Sequence, residues 1–405
     1  MLCPVSGFKI GALRAMVGGM LLWLAGSTSA IAAACTWQVN GPGAWDLGSN
    51  WGSCGGSGPN GSPGSADDVI IGPGTPNAEV QLGADRSVRS LSLSQGRITG
   101  NASLTILTNL NWTGGAIEGV SALSDQLIVN GGATGSLDGV SKTLRSRKLV
   151  NNGSLSWSNG DFLLFADAEF ENRGVLTATM GATVTLRMRS DASPAARLHN
   201  VAVPGATLVV NGAGNLDLAD NITFDNGSDV LVQNGALRVE SPGGDFGQYQ
   251  VSAAASLVFA PAFGVTRDLT GSSAVSGSGR LKMRGAGELL ISGGYSLSGE
   301  VEVSDGRLAF NTPAASISLS DLVVIAPGRL DGGDDFQISN TLTWQGGEIR
   351  SPDSSSQLTL QSGAVATMTL TDPRPFATLS ARRLVNQGTW RVNSNASVNT
   401  VWYLD

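Results

Sequence analysis

Residues 276–311 read SGSGRLKMRGAGELLISGGYSLSGEVEVSDGRLAFN, and their spacing decides the fold. Apolar residues come in alternating pairs, each bounded by Gly-rich corners: Leu281 and Met283, Leu289 and Ile291, Val301 and Val303, Leu308 and Phe310. Alternation over four residues points one side chain in two toward a core, which marks a very short strand; the glycines between mark tight turns.

The same grammar continues outward from about residue 80. Val88 to Leu93, Leu104 to Leu110, Leu127 to Val129, Val184 to Met188, Leu216 to Leu218, Val230 to Val232, Leu257 to Phe259, Leu322 to Ile325 and Leu358 to Leu360 alternate apolar with polar residues, separated by Asn-Gly, Gly-Gly, Asp-Gly and Ser-Gly corners. Beyond the first 34 residues no stretch of helical length shows apolar spacing of three and four. A long duplication overlies this pattern. Trp112, Gly114, Gly115 and Ile117 match Trp344, Gly346, Gly347 and Ile349, and Leu149-Val150-Asn151-Asn152-Gly153 matches Leu384-Val385-Asn386-Gln387-Gly388. Duplication over a finer period is how a solenoid grows. The expected fold is therefore all-β, a right-handed parallel β-solenoid (β-helix) with a small disulfide-linked N-terminal cap. Rungs of roughly 20–25 residues over 80–405 give about 14 turns and a length of about 70 Å. Asn at corner positions (Asn151, Asn152, Asn159, Asn172, Asn386) is expected to stack into side-chain ladders.

The 276–311 stretch resembles the autotransporter-associated β-strand repeat of bacterial surface proteins. The resemblance rests on Gly277 and Gly279, Gly285-Ala286-Gly287, Ser292-Gly293 with Tyr295, Gly299, and Gly306 two residues before Leu308. Met283-Arg284-Gly285 stands where that family has Lys-Thr-Gly. The resemblance covers about a tenth of the chain and implies a β-solenoid exported to the cell surface. Residues 35–71 resemble the start of many bacterial surface solenoid proteins: Thr36-Trp37, the pair Trp45 and Trp51, a Gly/Pro/Ser linker over 55–66, then Asp67-Asp68-Val69-Ile70. A solenoid's first rung leaves backbone and core uncovered, and a small Trp-rich unit suits that end.

Composition agrees. Of 405 residues 55 are Gly, and charged residues make up 14%, well below the roughly 25% usual for soluble domains. Residues 1–34 read as a secretory signal: Lys9 and Arg14, an apolar run from Ala15 to Ala25, then Ala30-Ile31-Ala32 and Ala32-Ala33-Ala34 as cleavage-site sequences. A lipoprotein alternative, with Cys35 next to the cut, lacks the usual Leu three residues earlier. Removing the leader takes Lys9 and Arg14 and no acid, leaving 23 basic against 32 acidic residues, a poor match to nucleic acid. Cys35 and Cys54 remain as an even pair in an exported chain, which favours a disulfide.

Chemistry is sparse. The one His, His199, has no Cys cluster beside it. Asp67 and Asp68 are adjacent in a strand and point to opposite faces, whereas Glu300 and Glu302 share one, as paired carboxylates for glycoside chemistry require. Asp334-Asp335 is too short a run for a Ca²⁺ loop. Trp37, Trp45 and Trp51 either fill a small core or offer faces for glycan stacking. No catalytic, metal or cofactor-binding residues are assigned.

The expected organisation is a signal peptide over 1–34, a Trp-rich cap and linker over 35–79, and solenoid repeats over 80–405. The expected role is a secreted or surface-exposed structural and adhesive passenger, not an enzyme and without a cofactor. The alternative is a carbohydrate-active β-helix enzyme, a polysaccharide lyase or hydrolase. Expected partners are glycans or proteins of host or neighbouring cells, or sister molecules in self-association; neither nucleic acid nor a membrane span in the mature chain is expected. The resemblance also implies a C-terminal barrel, but the chain runs to Val401-Trp402-Tyr403-Leu404-Asp405 without strands of that kind, so a fragment or a released protein is expected.

Overall fold

The computed structural model describes residues 34–121, 124–190, 196–352, 354–370 and 376–394. Residues 1–33, nearly all of the expected signal peptide over 1–34, and the run 401–405 lie outside them. Among the described residues, no helix is long and apolar enough to cross a membrane, and the only helical pieces are the short turns Gly48–Asn50 and Pro59–Gly61.

The chain winds as a parallel β-solenoid of about 14 turns, each turn laying one short strand on each of three faces. The first face runs from Asp68–Ile71 through Ser154–Trp157, Thr207–Gly212 and Gln248–Val251 to Gly294–Leu297, and continues through the N-terminal halves of Ser316–Ile325 and Asp335–Gln345 to Arg383–Asn386. The second runs from Pro42–Ala44 to Thr389–Ser394. The third begins in the N-terminal half of Arg86–Leu93 and ends at Ala377–Ser380. Rung length varies with the corner excursions: Glu79 pairs with Arg97, Leu281 with Val301, and Thr185 with Asn215.

Stacking explains the alternation. On the second face Leu257, Leu281, Val301, Leu322 and Leu342 lie one above the next, all at 0–1% exposure. Each such side chain contributes about 1.5–3 kcal/mol by leaving water. The quoted stretch 276–311 supplies nearly two turns, from the end of Ala274–Gly277 to Arg307–Phe310. Its glycines are required by close approach: a Cβ on Gly299 would lie 1.8 Å from the Gly279 carbonyl oxygen of the turn before.

The cap closes the N-terminal end with Ala34–Trp37 paired antiparallel to Trp51–Gly52 and parallel to Asp68–Ile71. Cys35 and Cys54 form a disulfide across a separation of 19 residues. Reducing it, or making Cys54→Ser, is expected to destabilise the cap by about 3 kcal/mol, the loop-closure entropy of a loop of that size. Hydrogen exchange at the Trp37 and Trp51 amides measures this; unchanged protection would mean that the Trp cluster holds the cap alone.

The long duplication is structural, and it is turned by one face. Leu104–Trp112 bends from the third face to the first, whereas its counterpart Asp335–Gln345 bends from the first to the second. Each copy carries a buried arginine that ties carbonyls of earlier turns together. Arg147 donates to the carbonyls of Gly100 (2.8 Å), Ala102 (2.9 Å) and Glu118 (3.2 Å). Arg382 donates to those of Gly332 (2.6 Å), Asp334 (2.6 Å) and Arg350 (3.3 Å). Because all three faces are built alike, a copied segment can be laid on the neighbouring one.

The Asn ladder exists, but with a different membership. Asn151, Asn172, Asn200 and Asn226 are buried at one corner and joined by Nδ2-to-Oδ1 hydrogen bonds of 2.8, 2.9 and 2.9 Å. Asn152 faces solvent. Asn159 and Asn386 accept from their own corners, at the Gly160 and Gly388 amides, so these three do not stack as expected.

Candidate functional surfaces

The cap's three tryptophans form its core. Trp37, Trp45 and Trp51 are 1%, 0% and 5% exposed, and Trp51 meets the other two edge-on at centroid distances of 4.8 and 5.0 Å. Their indole N–H groups donate to the carbonyls of Val39, Pro63 and Trp45. Rings packed against each other have no face to offer a sugar, which removes the glycan-stacking alternative at these positions. The segment 55–66 is tied down rather than a free linker: the Asp67 carboxylate accepts from the Ser57 amide and hydroxyl and from the Gly64 amide.

Carboxylates outside the cap lie mainly in ladders. Parallel in-register stacking brings outward side chains of successive turns within about 5 Å, where like charges repel and opposite charges pair. Glu300 and Glu302 do share an outward face, but Lys282 Nζ lies 3.6 and 2.6 Å from them, and Arg284 lies 2.9 Å from Glu302. Burial pushes the Glu302 carboxyl up, yet the Lys282 hydrogen bond and the charges of Lys282 and Arg284 outweigh it and hold the group below its ordinary range. A general acid needs the opposite shift. Asp334 accepts from the Thr312 amide and hydroxyl, and Asp335 from the Gln357 amide, so that pair caps corners.

One convergence was not visible in the linear chain. Glu171 and His199 are register partners on the third face, and ligand-type atoms of Glu169, Glu171 and His199 lie within 4.8 Å of one another. Their sequence separation hides this until the length of that turn is known. Lys148 Nζ stands where a cation would, 3.2 Å from Glu169 and 2.9 Å from Glu171, and Arg173 also pairs with Glu171. His199, foremost, and Lys148 draw the Glu169 carboxyl below its ordinary range against the effect of burial. A shallow depression of about 260 Å³ borders this cluster, lined by Gln126, Ile128, Lys148 and Glu171 among others.

Lys142 is fully buried, and its ammonium donates to the carbonyls of Asn159 (2.9 Å), Val140 (3.0 Å) and Asp138 (3.3 Å). Burial lowers its pKa to about 8, against partial support from Asp138 and Asp161. Between about pH 8 and the unfolded value near 10.5 the unfolded chain holds the proton and the folded chain does not, so stability should rise with pH across that window. Urea midpoints measured from pH 7.5 to 10.5 should climb, and Lys142→Met should flatten the climb. An unchanged slope in the variant would remove Lys142 as its source.

The faces differ sharply in charge. The second and third carry the ladders, including Arg307 and Arg350 on Asp331 and Arg329 on Glu348. The outward positions of the first face are almost uncharged over ten consecutive strands, from the C-terminal half of Arg86–Leu93 to Gly294–Leu297. They read Ser90, Ser92, Asn109, Asn111, Thr134, Ser136, Ser154, Ser156, Val175, Thr177, Thr207, Val209, Asp229, Leu231, Gln248, Gln250, Ala274, Ser276, Gly294 and Ser296, with Asp229 the one charge.

Known proteins add nothing to this geometry: no protein-family model matches the chain, and no curated protein and no solved structure is significantly similar to it.

Proposed function

We propose that this chain is an exported, surface-exposed structural and adhesive passenger, similar in kind to those of autotransporters and filamentous adhesins, and that it has no catalytic site. The observation that carries this reading is the use of its charged groups. Glu169, Glu171, Glu302 and Asp331 are each neutralised by cations on the same or neighbouring turns, so they serve to register the solenoid. The resemblance at 276–311, the leader-like start and the Cys35–Cys54 bridge support export. In this role the mechanism is geometric: a stiff stack of turns holds binding surfaces away from the cell.

Incubating the purified chain with a panel of neutral, acidic and acetylated polysaccharides, and assaying for new reducing or unsaturated ends, tests the reading. No release is expected. Release that is lost on Glu302→Gln would overturn it in favour of a carbohydrate-active enzyme. Protease treatment of intact cells expressing the chain tests export, and its protection from the protease would place it elsewhere.

A further inference from the structure

We propose that the uncharged first face is a self-association surface whose occupant is the same face of a second copy of this chain. Ser, Thr, Asn and Gln side chains each donate and accept hydrogen bonds, so a surface built from them is complementary to itself. A face of arginines and glutamates is self-complementary only in particular registers. Ten turns at about 4.8 Å spacing, four residues wide at about 3.3 Å each, present about 630 Å² per copy. Two copies would bury about 1,260 Å², past the roughly 1,000 Å² that a specific interface needs.

The lone charge is compatible with this pairing. In an antiparallel two-fold arrangement centred on the ten strands, Asp229–Val232 of one copy faces Ser154–Trp157 of the other, so the carboxylate meets the hydroxyls of Ser154 and Ser156 rather than its own image. A saccharide occupant is less suited to this face, because none of its outward side chains is an aromatic ring that could stack on a sugar. The proposal deepens the scaffold reading by naming its partner, yet it stands on geometry alone. Polysaccharide cleavage would sink the scaffold reading and leave this one intact.

Sedimentation of the full purified chain from about 1 to 100 μM is the test. A concentration-dependent monomer–dimer equilibrium is expected. Ser156→Glu with Gln250→Glu should weaken it at least tenfold, because like charges are placed on both halves of the face. Thr134→Lys with Gln248→Lys should do the same with the opposite sign. Thr99→Glu with Thr143→Glu, on the second face, should leave it unchanged, and circular dichroism confirms that each variant is folded. A chain that stays monomeric throughout overturns the proposal, as does association indifferent to both first-face variants. Polysaccharide binding abolished by those variants in a monomeric chain would assign the face to a saccharide instead.

Discussion

Replacing Arg267 by Met is expected to destabilise the turns around it by about 3–5 kcal/mol, the usual cost of removing one partner from a buried ion pair. Arg267 and Asp245 are both fully buried, with Nε 2.5 Å from Oδ2 in a bent contact and Nη2 2.8 Å from Oδ1. The guanidinium also donates to the carbonyls of Ser241 and Phe224 and lies 5.2 Å from the Phe224 ring centroid. Tyr249, equally buried, donates its hydroxyl to the same carboxylate. Without the arginine, a desolvated carboxylate keeps only the Tyr249 hydroxyl as donor, and two carbonyls lose the guanidinium at once. Desolvation already raises the Asp245 pKa despite its partner, so Arg267→Met alone should drive this acid toward its neutral form. The double variant Arg267→Met with Asp245→Leu should regain the part of the loss that comes from the unpaired carboxylate, because well-packed apolar replacements of buried ion pairs are often neutral or better, while the Ser241 and Phe224 carbonyls stay without the guanidinium. Hydrogen exchange read turn by turn is the right measurement, since each turn contacts only its neighbours and stability is local. Protection in 223–291 left unchanged by the single variant would show that the pair contributes nothing net.

The fold was legible because a solenoid writes its core into local alternation. The pairs Leu281 and Met283, Leu289 and Ile291, Val301 and Val303, and Leu308 and Phe310 are all buried as expected, and the glycines between them sit where backbone presses on backbone. The duplication was legible too, through Trp112 and Trp344, but its clamps were not. Arg147 and Arg382 look like surface charges in a polar corner, yet each reaches carbonyls about two turns back. The vertical relations were hidden for one physical reason. Turn length varies from the Glu79–Arg97 step to the Thr185–Asn215 step, so no single period aligns outward residues. The Glu169–Glu171–His199 cluster, the membership of the Asn ladder and the charge-free first face all depend on that alignment. The tryptophans of the cap do fill a small core, one of the two roles their sequence allowed; what the sequence did not show is that they pack edge-on to one another.

Asn172→Ala is the second variant with a large expected effect, about 2–5 kcal/mol, and it tests what sets the register of the third face. Asn172 accepts from Asn151 and donates to Asn200 and to the Thr207 carbonyl, at 2.8, 2.9 and 3.1 Å. Truncation leaves Asn151 short of an acceptor, and Asn200 and Thr207 short of a donor, each buried group costing about 1–3 kcal/mol where other partners do not make up the loss. The cost should spread along the ladder rather than stay in one turn. Asn200 also donates to Asn226 and to the Asp229 carbonyl, and Asn151 to the Val175 carbonyl, so one gap loosens the corner on both sides. Amide exchange should therefore accelerate at 151–153, 172–175 and 200–207 together, with the second face around 235–259 unaffected. A variant such as Leu208→Ala, which removes a comparable side chain from the inward stack, should loosen its own and adjacent turns without that corner-to-corner pattern. If both variants give the same exchange profile, the ladder is merely well packed and the register is carried by the apolar stack; if only Asn172→Ala spreads along the corner, the amides hold successive turns in step.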